Sequence, residues 1–171
     1  CFRKPMTLLM HWRERLDEFL PELIELRRHL HAHPELSGEE HQTAALVAGE
    51  LRSCGWRVHE GVGRTGLMAE LGPTNAPMVG LRVDMDALPV EERTELPYAS
   101  KRQGVMHACG HDLHTAIGVG VARLLSTETS LSAGVRLLFQ PAEELAEGAR
   151  WMRDDGATEG LDALFGVHVF P

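Results

Sequence analysis

The sequence predicts an α/β fold, and three observations favour this prediction. Stretches with apolar residues at helical intervals alternate along the chain with short apolar runs typical of strands. One such run, residues 78–83, is bounded by turn-forming residues, as expected of a buried central strand. Acidic side chains follow the ends of two predicted strands, which is where ligands collect in open α/β sheets. The fold class that we expect from the residues alone is therefore α/β.

The composition is typical of a globular protein with one domain. The chain has 171 residues, of which 43% are hydrophobic and 25% are charged, and this suffices for a buried core. A formal net charge of −8 argues against a nucleic-acid-binding surface. No apolar run approaches the ~20 residues that span a bilayer, so we expect no membrane partner. The widely spaced cysteines contain no CxxC pair and favour a reducing cytoplasm over a disulfide framework.

The first predicted helix covers residues 12–33, where apolar side chains recur at helical intervals. Residues 1–11 lack the apolar core and cleavage site of a signal peptide, and we interpret them as leader or cloning-derived residues. Basic side chains crowd the end of this helix before Pro34, where cations suit the negative pole of the helix dipole. We interpret this basic cluster as a solvated helix end; its members are Arg27, Arg28, His29, His31 and His33.

A second helix and two strands follow. The segment Ser37-Gly38-Glu39-Glu40 has the form of a capping box, with Ser37 as N-cap, and predicts a helix that ends near Cys54. Residues 56–60 alternate as in an edge strand, and residues 67–71 form another strand. Between them, residues 61–66 match GxGxxG, but no helix follows immediately as a dinucleotide site requires. We therefore predict a glycine-rich hairpin loop there.

Side chains that can bind a metal ion or transfer a proton follow three of the predicted strands. Asp84 and Asp86 follow the strand at 78–83, and Glu143 and Glu144 follow a strand at 135–139. A last strand at 163–167 is followed by His168, and a short helix begins near residue 148. The carboxyl ends of parallel strands meet at one edge of a sheet, so we expect these groups to lie close together.

Residues 107–114 contain three imidazoles, one thiol and one carboxylate. Thiolate and neutral imidazole are ligands that zinc and its first-row neighbours prefer. On extended backbone, Cys109 and His111 would point to one face and share an ion. Asp112 would then be the N-cap of the next helix, and we interpret His114 as packing at its start. A lone buried cysteine or histidine is usually structural, but packing does not explain such a cluster, so a metal site is favoured.

Hydrolysis at a metal site needs a carboxylate that is not a ligand, which takes a proton from water and passes it to the leaving nitrogen. Adjacent Glu143 and Glu144 can divide the two tasks, because on extended backbone they point to opposite sides.

Five segments, taken in chain order, resemble the M20 metallopeptidase family. The branch they match is that of the amidohydrolases acting on hippurate, other N-acyl amino acids and auxin conjugates. The segments are residues 28–35, 81–89, 106–112, 139–144 and 166–171. The resemblance implies a three-layer α/β/α catalytic domain of the zinc-peptidase type, built around a mixed, mostly parallel sheet.

The resemblance also implies roles for individual residues. It assigns metal ligation to Cys109, His111, Glu144 and His168, the general-base role to Glu143, and the orientation of a ligand imidazole to Asp86. Asp84 and Asp112 stay open between ligation and hydrogen-bonded support. The implied cofactor is a pair of divalent ions (zinc, manganese, cobalt or nickel), and the implied reaction is hydrolysis of an N-acyl amino acid.

Members of the family are more than twice as long as this chain. We therefore expect residues 12–171 to be the N-terminal part of the catalytic domain, without the lid and dimerisation domain, and the full-length form to be a homodimer or homotetramer. One alternative is a catalytically inactive metal-binding or interaction fragment. Another is a thiol enzyme with Cys109 as nucleophile and His111 as base.

Overall fold

The computed structural model describes the backbone of residues 5–169 and the side chains of residues 10–169. Every helix and strand predicted from the sequence is present in this part of the chain, and the differences lie at their ends. The elements are α1 (Pro5–Ala32), α2 (His41–Ser53), β1 (Arg57–Glu60), β2 (Leu67–Leu71), β3 (Met78–Asp84), α3 (His111–Ser126), β4 (Gly134–Gln140), α4 (Gly148–Asp154) and β5 (Ala163–Gly166).

The strands form one mixed sheet in the order β1-β2-β4-β3-β5. β3 lies between β4 and β5 and runs parallel to both, which confirms the predicted central strand. β1 pairs with β2, and β2 with β4, in the antiparallel sense. Parallel and antiparallel pairings are thus equal in number among the described strands, so the sheet is mixed but less parallel than expected.

Helices cover both faces of the sheet. The main core lies between one face and α1, α2 and α3, and its fully buried side chains include Val47, Leu51, Leu67, Val119, Leu137 and Phe139. On the opposite face, Leu138 of β4 packs with Met152 of α4. Leu137, Leu138 and Phe139 alternate between the two faces because successive side chains of a strand point to opposite sides. The predicted three-layer arrangement is therefore confirmed.

Helix α1 begins earlier than predicted, and its end is not solvated. It starts at Pro5 rather than at residue 12; residues 1–4 of the predicted leader lie outside the described residues. At the other end, His31 is only 3% exposed. Its Nδ1 lies 2.7 Å from Oδ2 of Asp112, which also forms an ion pair with Nε of Arg27 at 2.8 Å. Arg27 and His31 therefore fasten α1 to α3, and the predicted solvated helix end is wrong for these two residues.

The predicted capping box is also wrong. Helix α2 begins at His41, and Ser37 donates its hydroxyl hydrogen to Oδ2 of Asp86 over 2.6 Å. The first backbone N–H groups of α2 are instead satisfied by Glu35, whose carboxylate accepts from Gln42 and Thr43. A carboxylate can fill this role from outside the helix because the first-turn N–H groups have no partner within it.

The GxGxxG segment is the loop of the β1–β2 hairpin, as predicted. Gly63 and Arg64 both have left-handed backbone, with φ of 70° and 75°. A Cβ atom on Gly63 would lie 2.6 Å from Cγ of Met152, so glycine lets the loop pack directly onto α4. The N–H of Gly63 donates to Asp155 over 2.7 Å, and the loop is held by protein rather than shaped around a phosphate.

Candidate metal centre

Polar side chains converge where three neighbouring strands end. β3 and β4 are parallel, and Asp84 is in register with Gln140, so the residues that follow both strands emerge at one edge of the sheet. β5 is parallel to β3 as well, and His168 comes shortly after its end. The start of α3 brings His111 to the same edge, where its Nε2 lies 3.7 Å from Oδ1 of Asp84.

Cys109 and His111 are neighbours for a reason that differs from the predicted one. The backbone between them is not extended: Gly110 has φ of 82° and is the N-cap of α3, which begins at His111. Asp112 therefore lies in the first turn of the helix and is not its N-cap. A Cβ atom on residue 110 would lie 2.8 Å from Cγ2 of Val169, so glycine here serves both the left-handed turn and a close contact.

His111 presents one ring nitrogen to the site. Its Nδ1 lies 2.9 Å from the carbonyl oxygen of Asp86 and 3.2 Å from Oδ1 of the same residue. Both are acceptors, so Nδ1 carries the proton of the neutral ring and Nε2 keeps its lone pair. That Nε2 is buried, with no hydrogen-bond partner among the described residues. Burial acts to lower the pKa of His111, but the Asp86 hydrogen bond and the charges of Asp84, Asp86 and Glu144 raise it.

Asp86 is fixed from three directions. In addition to the His111 contact, its Oδ2 accepts hydrogen bonds from the Ser37 hydroxyl and from the backbone N–H of Glu144 over 3.0 Å. Burial acts to raise the pKa of Asp86, but the hydrogen bonds from His111, Ser37 and Glu144 hold it below its usual range. The carboxylate thus stays charged against Nδ1 of His111, which is the placement that the orienting role requires.

Glu143 and Glu144 do not point to opposite sides. They lie in a turn after β4, because Ala142 has left-handed backbone with φ of 46° and its N–H donates to the buried carboxylate of Glu40 over 2.8 Å. Oε2 of Glu143 and Oε1 of Glu144 each lie 3.8 Å from Nε2 of His111. Both acids therefore face one point, which corrects the prediction based on extended backbone.

Cys109 and His168 complete the group. The Sγ of Cys109 lies 3.7 Å from Nε2 of His168, whose Nδ1 contacts the carbonyl oxygen of Val169 at 2.6 Å. A carbonyl only accepts, so the Nδ1 proton is directed at it and Nε2 offers its lone pair toward the thiol. Burial, together with the negative charges of Glu144 and Glu143, raises the pKa of the Cys109 thiol to about 11.

His114 is a buried member of the cluster that the sequence analysis interpreted as packing. Its Nδ1 lies 2.5 Å from Oδ1 of Asp84, and its Nε2 accepts the backbone N–H of Val169 over 2.8 Å. Burial acts to raise the pKa of Asp84, but the His114 hydrogen bond and the charges of His111 and Arg82 hold it below its usual range. The signal that could have found His114 is its spacing of three from His111, which places the two on one face of a helix.

The donor atoms fit a pair of cations. Two sets each have ligand atoms within 4.8 Å of one another: Asp84, His111, His114 and His168, and Cys109, His111 and Glu144. Three of these residues keep a buried polar atom with no hydrogen-bond partner in the described part of the chain, namely Nε2 of His111, Oε1 of Glu144 and Oδ2 of Asp84. The last of these atoms forms an ion pair with Arg82. Orphaned buried lone pairs are costly unless something electropositive occupies the space between them. Thiolate, imidazole and carboxylate together suit first-row divalent ions.

The side chain of Asp112, whose role the sequence left open, points away from the donor cluster. Its Oδ2 is occupied by Arg27 and His31 of α1, and the second nitrogen of His31 contacts Glu92 at 3.1 Å. This residue supports the position of α3, whereas Asp84 faces the donor cluster.

The chain matches the sequence model of a known protein family. The family is described as "Peptidase family M20/M25/M40", and its model matches residues 80–171, more than half of the chain. The chain belongs to this family. The match covers the segment from β3 to the end of the chain and confirms the resemblance predicted from the sequence motifs.

Individual M20 proteins resemble the chain over most of its length. The probable hydrolase sll0100 of Synechocystis sp. is 58% identical over 155 residues, which are 89% of this chain and 39% of that protein. The N-acetyl-L-cysteine deacetylase of Bacillus subtilis is 49% identical over 152 residues, which are 88% of this chain and 36% of the deacetylase. The chain thus spans about two fifths of the length of the relatives it matches.

A solved M20 structure confirms the fold. The crystal structure of the Bacillus subtilis YXEP protein, described as a dinuclear metal-binding peptidase, matches this chain with a TM-score of 0.86. The identity is 44%, and the match covers 91% of this chain and 44% of that one. None of the described helices of the present chain has the length and apolar character needed to cross a membrane.

Proposed function

We propose that the protein carrying this chain hydrolyses the amide bond of N-acyl amino acids. The observation that carries the proposal is the convergence of two carboxylates, Glu143 and Glu144, on Nε2 of buried His111. This nitrogen has no hydrogen-bond partner among the described residues. A hydrolytic metal site needs this combination of ligands and a spare acid. The likeness to an N-acetyl-L-cysteine deacetylase supports an acylated amino acid as the substrate class.

Cys109, His111, Glu144 and His168 are the residues that would hold the ions, and Asp84 faces the same space. Two divalent ions, as in the dinuclear YXEP protein, fit the two donor sets. When bound, such ions polarise the scissile carbonyl and lower the pKa of water. The mixed sulfur, nitrogen and oxygen donors are compatible with zinc, manganese, cobalt or nickel.

Glu143 is the proposed general base. Its side chain is 32% exposed, against 20% for Glu144, so it faces the side from which water and substrate arrive. It takes a proton from the attacking water and later donates it to the leaving nitrogen. Asp86 keeps the ring of His111 in its orientation and tautomer during these steps.

Replacing Glu143 tests the base. We expect Glu143→Gln in the intact protein to lower kcat for an N-acetyl amino acid by at least about 100-fold, since proton transfer contributes about 10²–10⁴-fold. Metal content, measured by elemental analysis, should stay at the wild-type level. The matched control is Glu147→Gln, because Glu147 is a nearby glutamate whose carboxylate pairs with Arg150 at the surface. Turnover retained in Glu143→Gln would remove this residue from the base role.

Replacing Cys109 tests the metal centre. We expect the wild-type protein to bind about one to two divalent ions per chain, and Cys109→Ala to weaken binding by at least about tenfold in a chelator competition. Cys54→Ala is the control, because Cys54 is the other described cysteine, is half-buried and packs against the main core. Equal metal affinity in both variants would contradict ligation by Cys109.

A second candidate function is that of a metal-binding or interaction module without turnover. The observation that favours it is the edge strand β5, where Leu164 and Phe165 are 48% and 61% exposed. Such an edge offers unpaired backbone groups to another chain. This function predicts bound metal, no hydrolysis of any acyl amino acid by the intact protein, and pairing through β5.

The thiol-enzyme alternative is disfavoured. A nucleophilic cysteine needs a lowered pKa, whereas the pKa of Cys109 is raised to about 11 by burial and by the charges of Glu144 and Glu143. A chelator should therefore abolish turnover.

The widely spaced cysteines support the proposal of a reducing cytoplasmic location. A homodimer or homotetramer is the assembly that we propose for the full-length form.

A further inference from the structure

Both ring nitrogens of His114 are engaged, and this fixes what the residue can do. Nε2 accepts the backbone N–H of Val169 over 2.8 Å, so the neutral ring carries its proton on Nδ1. That proton is directed at Oδ1 of Asp84, 2.5 Å away, and Oδ2 of Asp84 lies 2.7 Å from Nη1 of Arg82. While these bonds persist, His114 has no lone pair left for an ion.

The segment that His114 contacts carries His168. The pairing of β5 with β3 ends at Gly166, and the next backbone bond runs from the N–H of Val167 to the carbonyl oxygen of Arg82 over 3.1 Å. Two residues later, the backbone N–H of Val169 donates to Nε2 of His114. His168 thus lies between two attachments, one to β3 and one to α3.

The side chain of Val169 also helps to hold the segment that carries His168. Cγ2 of Val169 lies against Gly110, at 2.8 Å from where a Cβ atom would be. Gly110 separates Cys109 from His111, so the segment with His168 packs directly onto the turn that bears the other two donors. The ring centroids of His114 and His168 are 4.7 Å apart.

We propose that His114 is a positioning residue, which seats His168 for metal binding by accepting the N–H of Val169. The inference rests on the proposed function, in which His168 is a ligand. His114 itself is not a ligand, although its atoms lie among the donors; Asp84, His111 and His168 supply the lone pairs of that set. A ligand at the end of a short edge strand needs such an attachment, because strand pairing no longer holds it.

Two amide substitutions separate the two bonds of the ring. His114→Gln can place an amide oxygen near the position of Nε2 and accept the Val169 N–H, but it offers no donor near Nδ1. His114→Asn retains a donor for Asp84 and leaves the Val169 N–H without an acceptor. In the intact protein we expect His114→Asn to weaken zinc binding by about 10- to 100-fold in a chelator competition, and His114→Gln to weaken it less.

The matched control is Thr115→Val. The Thr115 hydroxyl donates to the carbonyl oxygen of Asp84 over 2.9 Å, so this variant also removes one buried hydrogen bond between α3 and β3. It should lower the melting temperature and leave zinc affinity unchanged. A loss of affinity in Thr115→Val equal to that in His114→Asn would assign the effect to general loosening and overturn the inference.

A readout independent of activity is the tautomer of the ring. In ¹⁵N-histidine-labelled, metal-free protein, His114 should show the Nδ1–H form, whereas free imidazole side chains favour Nε2–H. An Nε2–H tautomer at His114 would contradict the inference, as would wild-type affinity in His114→Asn. The variant His168→Ala distinguishes a failure of the proposed ligand role from a failure of the positioning role. If His168→Ala binds zinc like the wild type, the proposed ligand role of His168 fails. If His168→Ala loses zinc and His114→Asn does not, only the positioning role fails.

Discussion

The two histidines at the start of α3 differ in what their ring nitrogens contact. His111 directs Nδ1 at Asp86 and leaves Nε2 without a hydrogen-bond partner among the described residues, as a ligand must. His114, one turn later, uses both nitrogens for Asp84 and Val169. The same side-chain type is therefore suited to two different tasks, and the hydrogen-bond partners decide which.

At this scale Asp86 is the most informative residue to replace after the proposed ligands. We expect Asp86→Asn to weaken zinc binding by about 10- to 100-fold, because the charge that holds the His111 tautomer is lost. Chelator competition on the intact protein measures it. Ser37→Ala removes one of the donors to Asp86 and leaves the His111 contact in place, so its effect should be smaller. Equal losses in the two variants would mean that the carboxylate acts mainly by holding the segment around Ser37.

The donor types of the site could be predicted from the sequence, but their supports could not. Cys109, His111, Glu144 and His168 stand out because coordinating groups cluster in the chain or follow predicted strands. The proposed role of His114 depends on Asp84 and Val169, which lie 30 and 55 residues away in sequence. No local pattern indicates a partner at such a distance, because hydrogen bonds of this kind form only after the sheet and helix have docked.

Helix α3 packs closely against the sheet at Gly118. Gly118 is buried in the middle of this helix, where a Cβ atom would lie 2.8 Å from Cε1 of Phe139 and 3.0 Å from Cγ2 of Val83. Glycine weakens a helix relative to alanine, so its presence here is explained by packing. The close approach places the start of α3 beside the end of β3, and the position of His111 depends on it.

Gly118→Ala should therefore be destabilising, against the usual preference of helices for alanine. We expect a loss of about 1–3 kcal/mol in the free energy of unfolding, measured with urea, because the added methyl group overpacks the core. Gly49→Ala is the matched control: Gly49 is exposed in α2, and a Cβ atom there meets nothing within 4 Å. That variant should gain up to about 1 kcal/mol. A gain in both would show that α3 can move away from the sheet without cost.

The elements themselves could be predicted better than their ends. Apolar periodicity reports which face of a segment is buried, and every helix and strand predicted from it is present among residues 5–169. Helix starts depend on single hydrogen bonds. Ser37 had the sequence of an N-cap, but its hydroxyl bonds to Asp86 and the α2 N–H groups bond to Glu35. Local sequence cannot tell which of two nearby acceptors or donors tertiary packing will bring closer.

At the scale of the molecule, the sheet ends in two different edges. β1 is the outer strand of a hairpin, whereas β5 has four exposed residues and pairs only with β3 among the described strands. The family resemblance implied mostly parallel pairing. The hairpin β1–β2 adds to β4 in the antiparallel sense, and the alternation of side chains within a strand does not encode which neighbour the strand will take.

The β5 edge predicts self-association of the 171-residue chain. We expect its sedimentation coefficient to rise with concentration and Phe165→Lys to reduce that rise, since a charge on an edge strand opposes strand pairing. Val90→Lys is the control, because Val90 is 42% exposed and lies outside the strands. If both variants, or neither, change the association, the contact does not form through β5.

The buried side chain of Glu40 restricts the motion of the turn that bears Glu143. Its fully buried carboxylate accepts hydrogen bonds from the hydroxyl of Thr65 and from the N–H of Ala142, so it ties the start of α2 to the β1–β2 hairpin and to the turn that bears Glu143. Opening that turn would deprive the buried carboxyl group of the Ala142 N–H donor. The amide of Ala142 should hence exchange with solvent only in the rare, large openings that also release α2, and not through fraying of a surface loop.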